Sequence, residues 1–212
     1  MPLPWLTSPG ALAALAASYL LGAIPFGLVM VRLIKGVDLR TQGSGNIGAT
    51  NAMRVLGKPL GLVAFLLDWG KGLVASLWLY RLAEGADLRL QVACGAAAVI
   101  GHCFPVYLRF KGGKGVATAC GAVVAIDPVV FVIAGAVWLA LAFGLRYVSV
   151  ASMGMGLAFP VAAWFRWGHR GDSFVVGLCA LTLLILVRHK SNIARLRAGT
   201  EPKIGAGKKK AE

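Results

Sequence analysis

The sequence predicts an all-α, polytopic integral membrane protein of seven transmembrane helices, with the N-terminus outside and the C-terminus in the cytoplasm. Three observations predict it. Apolar residues make up 58% of the 212-residue chain and charged residues 14%, with a mean hydropathy of +0.75, whereas soluble domains hold about 45–50% apolar and about 25% charged residues. A soluble fold of this size has too little interior for so much apolar surface, which excludes a soluble enzyme, a disordered chain and a secreted disulfide scaffold. Seven apolar runs recur along the chain, and its 22 lysines and arginines fall almost entirely between them.

From the N-terminus, the runs at 12–31, 60–80 and 90–108 each have about the 20 residues that a helix needs to cross the hydrocarbon. The first ten residues carry no basic n-region and the run after them is longer than an h-region, so it reads as a retained helix and not as a cleaved signal peptide. The run at 116–126 is short and stops at Asp127-Pro128, leaving a re-entrant piece as the alternative to a crossing. The runs at 129–145 and 148–165 sit at the short end of the range, and 173–187 reaches full length with its flanks. Charge decides the fourth run. With seven crossings, 17 basic residues share one side and Arg81, Arg89, Arg166 and Arg170 make 4 on the other, Lys71 lying inside a span. Without a crossing at 116–126 the split is 10 against 11. Cytoplasmic loops carry an excess of Lys and Arg, so seven crossings are expected. They form one membrane domain over residues 1–200, followed by a basic, disordered cytoplasmic tail over 201–212.

The four cysteines show no C-x-x-C pair and all lie in apolar surroundings, where they read as small buried hydrophobes. His102, His169 and His189 are too scattered to build a metal site with them, and no metal or cofactor is expected. A net charge of +14 follows in large part from the positive-inside bias, and beyond it suggests phosphate-bearing or anionic-lipid partners. No aromatic-interleaved soluble module points to nucleic acid.

Three polar segments fall on the cytoplasmic side of this topology. The first, Gly43-Ser44-Gly45-Asn46-Ile47-Gly48-Ala49-Thr50-Asn51 with Arg54 after it, matches G-x-G-x-x-G. A dinucleotide fingerprint needs a strand before it and a βαβ unit around it, and here an apolar helix precedes it. Small residues that leave N–H groups open, hydroxyl and amide donors, and a forked arginine nevertheless suit phosphate, in a way that a plain turn between helices would not need. The second runs from Gly101-His102 through Lys111-Gly112-Gly113-Lys114-Gly115 to Thr118. It resembles a Walker A loop only superficially, because Leu108 stands where that motif has its first glycine. It has the parts of a phosphate cradle all the same: bare amides, Lys114, and a helix start after Gly115. His102 reads as a structural histidine at an apolar helix end. The third follows Arg188, with His189 and Asn192 at i and i+3, on one face of a helix; taken alone it equals the basic flank of a last helix. Asp68 and Lys71, at i and i+3 inside the second span, are a functional candidate by position and equally a structural ion pair. Ser149 and Ser152 open the sixth span, Ser152 deeper than a cap.

Together, G-S-G-N-I-G-A-T-N-A-M-R, G-H-C-F-P-V-Y-L-R-F-K-G-G-K-G-V-A-T and R-H-K-S-N-I-A-R-L-R-A-G-T-E resemble the motifs of the bacterial acyl-phosphate-dependent glycerol-3-phosphate acyltransferases, the PlsY family. The resemblance extends from about Tyr19 to Glu201 and takes in D-W-G-K-G at Asp68 and R-Y-V-S-V-A-S. It implies a multi-pass inner-membrane enzyme with its active site facing the cytoplasm. That enzyme would move an acyl chain from acyl phosphate to the 1-hydroxyl of sn-glycerol 3-phosphate, giving lysophosphatidic acid and phosphate in the first acylation of phospholipid synthesis. It implies Ser44, Arg54, Lys114, His189 and Asn192 as catalytic residues, and Gly43, Asn46, Thr50, Asn51, Gly112, Gly113, Gly115 and Ser152 as substrate-binding ones. Within these, the four residues 112–115 would bind the phosphate, and Glu201 would support the tail. Membrane lipid is a further partner, and an acyl-phosphate-producing enzyme upstream is compatible with the reaction.

The residues agree with that chemistry. Acyl phosphate is an activated mixed anhydride, and joining two anionic reactants demands concentrated positive charge and oriented donors. The chain has no H-x-x-x-x-D box and no G-x-S-x-G elbow, which favours one-step transfer with the hydroxyl proton passing to His189 or to a substrate phosphate. A transporter of a phosphorylated metabolite is the alternative. Transporters gather polar groups near the midplane in repeat-related broken helices, whereas here those groups crowd one face and no repeat is visible. A lipid-binding scaffold would not need the Gly-Lys-Gly cradle.

Overall fold

The computed structural model describes residues 8–168 and 172–205; the first seven residues, His169, Arg170 and the Lys-rich end of the expected tail lie outside the described residues. Ten α-helices form the described chain: α1 Pro9–Ala23, α2 Phe26–Lys35, α3 Ala49–Leu56, α4 Lys58–Leu77, α5 Leu88–Cys103, α6 Val116–Ile126, α7 Pro128–Leu145, α8 Val148–Trp167, α9 Asp172–Arg188 and α10 Lys190–Arg197. Short 3₁₀ turns at Leu39–Thr41, Leu79–Leu82 and Val106–Leu108 join some of them.

Five stretches are long and apolar enough to cross a membrane: Pro9–Lys35, Lys58–Leu82, Leu88–Leu108, Pro128–Leu145 and Val148–Trp167. Helices α9 and α10 together make a sixth, bent by 53°; α9 carries the apolar run, and the polar α10 follows the bend. The fourth expected span is the 11-residue α6, about 16 Å long at 1.5 Å per residue against a hydrocarbon core of about 30 Å. Length and composition therefore support five or six spans where seven are expected.

The first run is interrupted. Pro25 has no N–H and pushes the residue before it out of the helical region, so Ile24 is extended (φ −64°, ψ 118°) between α1 and α2. The freed Ile24 carbonyl accepts from Lys71 Nζ at 3.0 Å, and Lys71 pairs with Asp68 Oδ1 at 2.9 Å. Lys71 thus joins Phe26 N, 3.2 Å from the same oxygen, in satisfying a carbonyl at the break, while Asp68 lies 3.6 Å from His102 Nδ1 and borders a cavity within the bundle.

Helices approach closely through small residues, as membrane packing favours. A Cβ on Gly72 of α4 would strike the Thr118 carbonyl of α6, one on Gly121 of α6 the Trp69 carbonyl of α4, and one on Gly22 of α1 the Ala98 backbone of α5. The main core joins α5 to α9 around Val99, Val123, Phe159, Phe174 and Ile185. A smaller one under α2 and α3 buries Leu39, Ile47 and Ala52. Cys94, Cys103 and Cys120 are buried as expected, but Cys179 is exposed on α9, since an apolar neighbourhood in sequence does not distinguish a lipid-facing side of a helix from an inward one.

The bundle has two polar ends. At one, Asp127 caps α7 by accepting from Val129 N at 2.8 Å and Val130 N at 3.2 Å, and accepts from Trp167 Nε1 at 2.6 Å. This brings together the end of α6, the start of α7 and the end of α8. At the other end the α7–α8 turn, the bend between α9 and α10, α3 and the start of α6 converge.

Candidate active site

The first polar segment folds around Asn51, which is 1% exposed. Its Oδ1 accepts from Ser44 N at 3.0 Å, and its Nδ2 lies 3.2, 2.9 and 2.9 Å from the carbonyls of Leu39, Gln42 and Asn46. Asn46 Oδ1 accepts from Gly48 N at 2.9 Å, and Gly43 adopts φ +56°, the left-handed region that glycine enters freely. Gly43, Asn46 and Asn51, expected as substrate contacts, hold the loop itself, and Asn46 and Asn51 also border the cavity. The loop's product is the exposed face carrying Ser44, Thr50 and Arg54, a face that starts the amphipathic α3.

In the second segment the two leading glycines also face away from the site. Gly113 N donates to the His102 carbonyl at 3.0 Å, and the carbonyls of Gly113 and Gly112 accept from Arg188 Nε at 2.9 Å and Nη2 at 2.7 Å. Gly115, at φ +80°, is the N-cap of α6 and lets the chain turn into the helix. The helix start leaves orphan amides facing the same space as Lys114. Burial depresses Lys114, helped by Arg195, Arg54 and Arg188 and opposed by Glu201, so that it titrates at about 8.

In the third segment the chain bends between α9 and α10, and His189 and Asn192 are both buried, at 2% and 5% exposure. His189 Nδ1 lies 2.8 Å from the Ile185 carbonyl. A carbonyl only accepts, so Nδ1 carries the hydrogen and Nε2 keeps a lone pair. Burial, with Lys114 adding to it, pushes His189 down to about 4, which leaves it neutral at pH 7. Asn192 Nδ2 donates to Glu201 Oε1 at 2.7 Å, and Arg195 Nε to Glu201 Oε2 at 2.8 Å. Burial works against an ionised Glu201, yet Ser149, Asn192 and Arg195 outweigh it and hold its pKa below the usual value.

These pieces line one cavity of about 720 Å³, within the 300–1,000 Å³ of small-molecule sites. Ser44, Asn46, Thr50, Asn51, Arg54, Lys114, Gly115, Ser152, His189 and Asn192 all border it; Gly43, Gly112 and Gly113 do not. Sequence reasoning gave no substrate role to Ala117, Ser149 or Arg195, which share its polar end. It missed entirely an apolar trough lined by Leu62 and Phe65 of α4 and by Phe131, Val132, Gly135 and Leu139 of α7. No sequence signal marks these residues, because an apolar side chain facing a trough looks like one facing lipid. Trp138 stands at the border of the two regions, its Nε1 donating to Ser152 Oγ at 3.4 Å. Among the described residues no three of His, Cys, Asp and Glu come together to hold a metal ion. Chemically, the cavity offers cations and free amides for phosphate, the His189 imidazole nitrogen as a base, the His102 ring beside Asp68 deeper in, and an apolar trough beside them.

The glycerol-3-phosphate acyltransferase family model matches residues 12–199. The chain is 48% identical over 204 residues to a glycerol-3-phosphate acyltransferase of Dinoroseobacter shibae, covering 96% of this chain and 98% of the relative. It is 47% identical over 200 residues to one of Caulobacter vibrioides, covering 94% and 89%. Among solved structures it resembles the integral membrane glycerol 3-phosphate acyltransferase PlsY in its glycerol 3-phosphate form, at a TM-score of 0.85 and 42% identity, covering 92% of this chain and 96% of that one. The lysophosphatidic acid form gives a TM-score of 0.82 at 41% identity, covering 92% and 95%.

Proposed function

The chain belongs to the glycerol-3-phosphate acyltransferase family, and from that membership we propose that it carries an acyl chain from acyl phosphate to the 1-hydroxyl of sn-glycerol 3-phosphate. It is a membrane acyltransferase, and the alternative of a transporter falls with the family. The observation that carries the reading is the cavity itself: a cationic end with free amides opens into an apolar trough, as a phosphate-bearing acceptor and a long-chain donor together require.

Lys114, Arg54 and the first amides of α6 hold the acceptor phosphate, where the helix dipole and the N–H groups favour an anion. The acyl chain lies in the trough between α4 and α7, so its activated carbonyl comes to the polar border near Ser152. Ser44 and Arg54 meet the donor phosphate. The 1-hydroxyl oxygen attacks the carbonyl carbon, a new C–O ester bond forms, and the bond from that carbon to the phosphate oxygen breaks. Phosphate leaves with the bonding electrons, and the hydroxyl proton goes to His189 Nε2 or to a substrate phosphate. Asn192, aligned by Glu201, flanks His189. Asn51, Asn46, Gly43, Gly112 and Gly113 serve by shaping the loops that present these groups.

The polar end faces the cytoplasm, where glycerol 3-phosphate is found, across a bacterial inner membrane crossed seven times by the single domain of residues 1–200, and an upstream enzyme supplies the acyl phosphate. A seventh crossing is supported by α6, which leads from the cavity at Gly115 to the Asp127–Trp167 end of the bundle.

Assays in detergent with palmitoyl phosphate and palmitoyl-CoA side by side test the donor. Acyl phosphate is a mixed anhydride whose departing phosphate gathers charge, and the cations and amides at the polar end of the cavity are placed to stabilise it. Acylation and phosphate release with palmitoyl phosphate alone are expected; comparable rates with both donors would overturn the choice of donor.

A further inference from the structure

We infer that Arg188 is a positioning residue that aims the backbone ahead of α6 into the cavity. It does not border the cavity. Its guanidinium reaches the other way, donating from Nε to the Gly113 carbonyl at 2.9 Å and from Nη2 to the Gly112 carbonyl at 2.7 Å, with its centre 5.0 Å from that of the Phe104 ring. In a trans peptide the C=O and the following N–H point in opposite directions. Holding the Gly112 carbonyl toward Arg188 therefore turns Gly113 N–H away from it, and that N–H meets the His102 carbonyl at 3.0 Å. Holding the Gly113 carbonyl in the same way turns Lys114 N–H away from Arg188, and Lys114 is the first residue after the two glycines to border the cavity. The guanidinium on one side and the last turn of α5 on the other thus fix two residues that have no side chains to fix themselves.

The two adjacent residues divide the work: Arg188 ends α9 facing the loop, and His189 turns into the cavity. A cation is also favoured at that C-terminal helix end, but dipole stabilisation alone would accept lysine. The bidentate hold on two carbonyls over an aromatic face asks for arginine, whose planar fork a single ammonium does not reproduce.

The inference rests on the reading that Lys114 and the start of α6 hold the acceptor phosphate, and Lys114→Gln tests that reading separately. With the full chain in detergent, Arg188→Gln is expected to raise KM for glycerol 3-phosphate at least about tenfold, with kcat and KM for palmitoyl phosphate changed less than about threefold, because only acceptor binding is misaligned. Arg188→Lys is expected to be no better than Arg188→Gln. Recovery of the wild-type KM in Arg188→Lys would overturn the inference, since charge alone would then suffice. Equal rises for both substrates would overturn it too, as general loosening. If neither Arg188 variant folds, Phe104→Leu removes the ring under the guanidinium while keeping apolar bulk; the same selective rise, about threefold, is expected at the loss of a cation–π contact, and its absence overturns the inference. An unchanged KM in Lys114→Gln would instead overturn the phosphate site itself.

Discussion

Gly113 donates its N–H to the His102 carbonyl at 3.0 Å, and the His102 ring occupies the space that a methyl on Gly113 would need, with Nε2 the nearest atom. The glycine is there for the close approach of α5 to the loop. In sequence it reads as leaving room for a ligand, and the structure assigns that room to a histidine.

The first prediction follows from this pair. Gly113→Ala should lower stability by about 1–3 kcal/mol, the usual cost of overpacking, and should raise KM for glycerol 3-phosphate through displacement of the loop. His102→Ala in the same chain should recover part of both losses, because contacting residues couple. Thermal unfolding and kinetics of the single and double variants measure the cycle. Strict additivity would mean that the methyl blocks the ligand directly.

The second concerns pH. Lys114, charged below about 8 and neutral above it, should give kcat/KM for glycerol 3-phosphate an alkaline fall near pH 8, because that ratio reports groups of the free enzyme. The sign is that of a lysine whose cation is destabilised by burial: the binding form is present at low pH and lost as pH rises through the shifted value. Arginine stays protonated throughout, so Lys114→Arg, whatever its absolute rate, should lack that fall. A fall at the same pH in the variant would assign it to another group.

The third concerns the trough. Gly135 borders it, and a Cβ added there meets nothing within 4 Å. Gly135→Leu should therefore fold and fill the trough, lowering kcat/KM for palmitoyl phosphate at least about tenfold while leaving octanoyl phosphate within about threefold, since each buried methylene contributes about 0.8 kcal/mol. Equal losses with both donors would remove the chain from this trough.

The fourth concerns topology. In a chain whose four cysteines are replaced, single cysteines at Lys58, Gly85 and Lys203 should differ in intact cells. An impermeant thiol reagent should label only position 85, as the lopsided placement of basic residues requires. Labelling at 203 would overturn the seven-crossing arrangement.

Residue order alone carries the membrane class, the apolar helices, and the three polar segments that meet in the cavity. Transfer of a helix into lipid depends on the summed polarity of contiguous residues, and Ser44, Arg54, Lys114, His189 and Asn192 stand out because polar groups beside such helices are conspicuous. Which way each group faces depends on contacts between distant parts of the chain. Asn51 looks like a ligand contact until its amide is seen among three backbone carbonyls from earlier in the loop, and Gly112 and Gly113 look like a cradle until Arg188, 75 residues on from Gly113, is seen holding their carbonyls. Lys71 is legible in sequence as the partner of Asp68, but its second acceptor, the Ile24 carbonyl at the break before Pro25, lies 47 residues away. The trough between α4 and α7 left no trace in the sequence, because the same apolar side chains satisfy lipid, a packed neighbour and a bound acyl chain. Hydropathy is a local sum, whereas hydrogen-bond partners and empty space are fixed by residues brought together from distant parts of the chain.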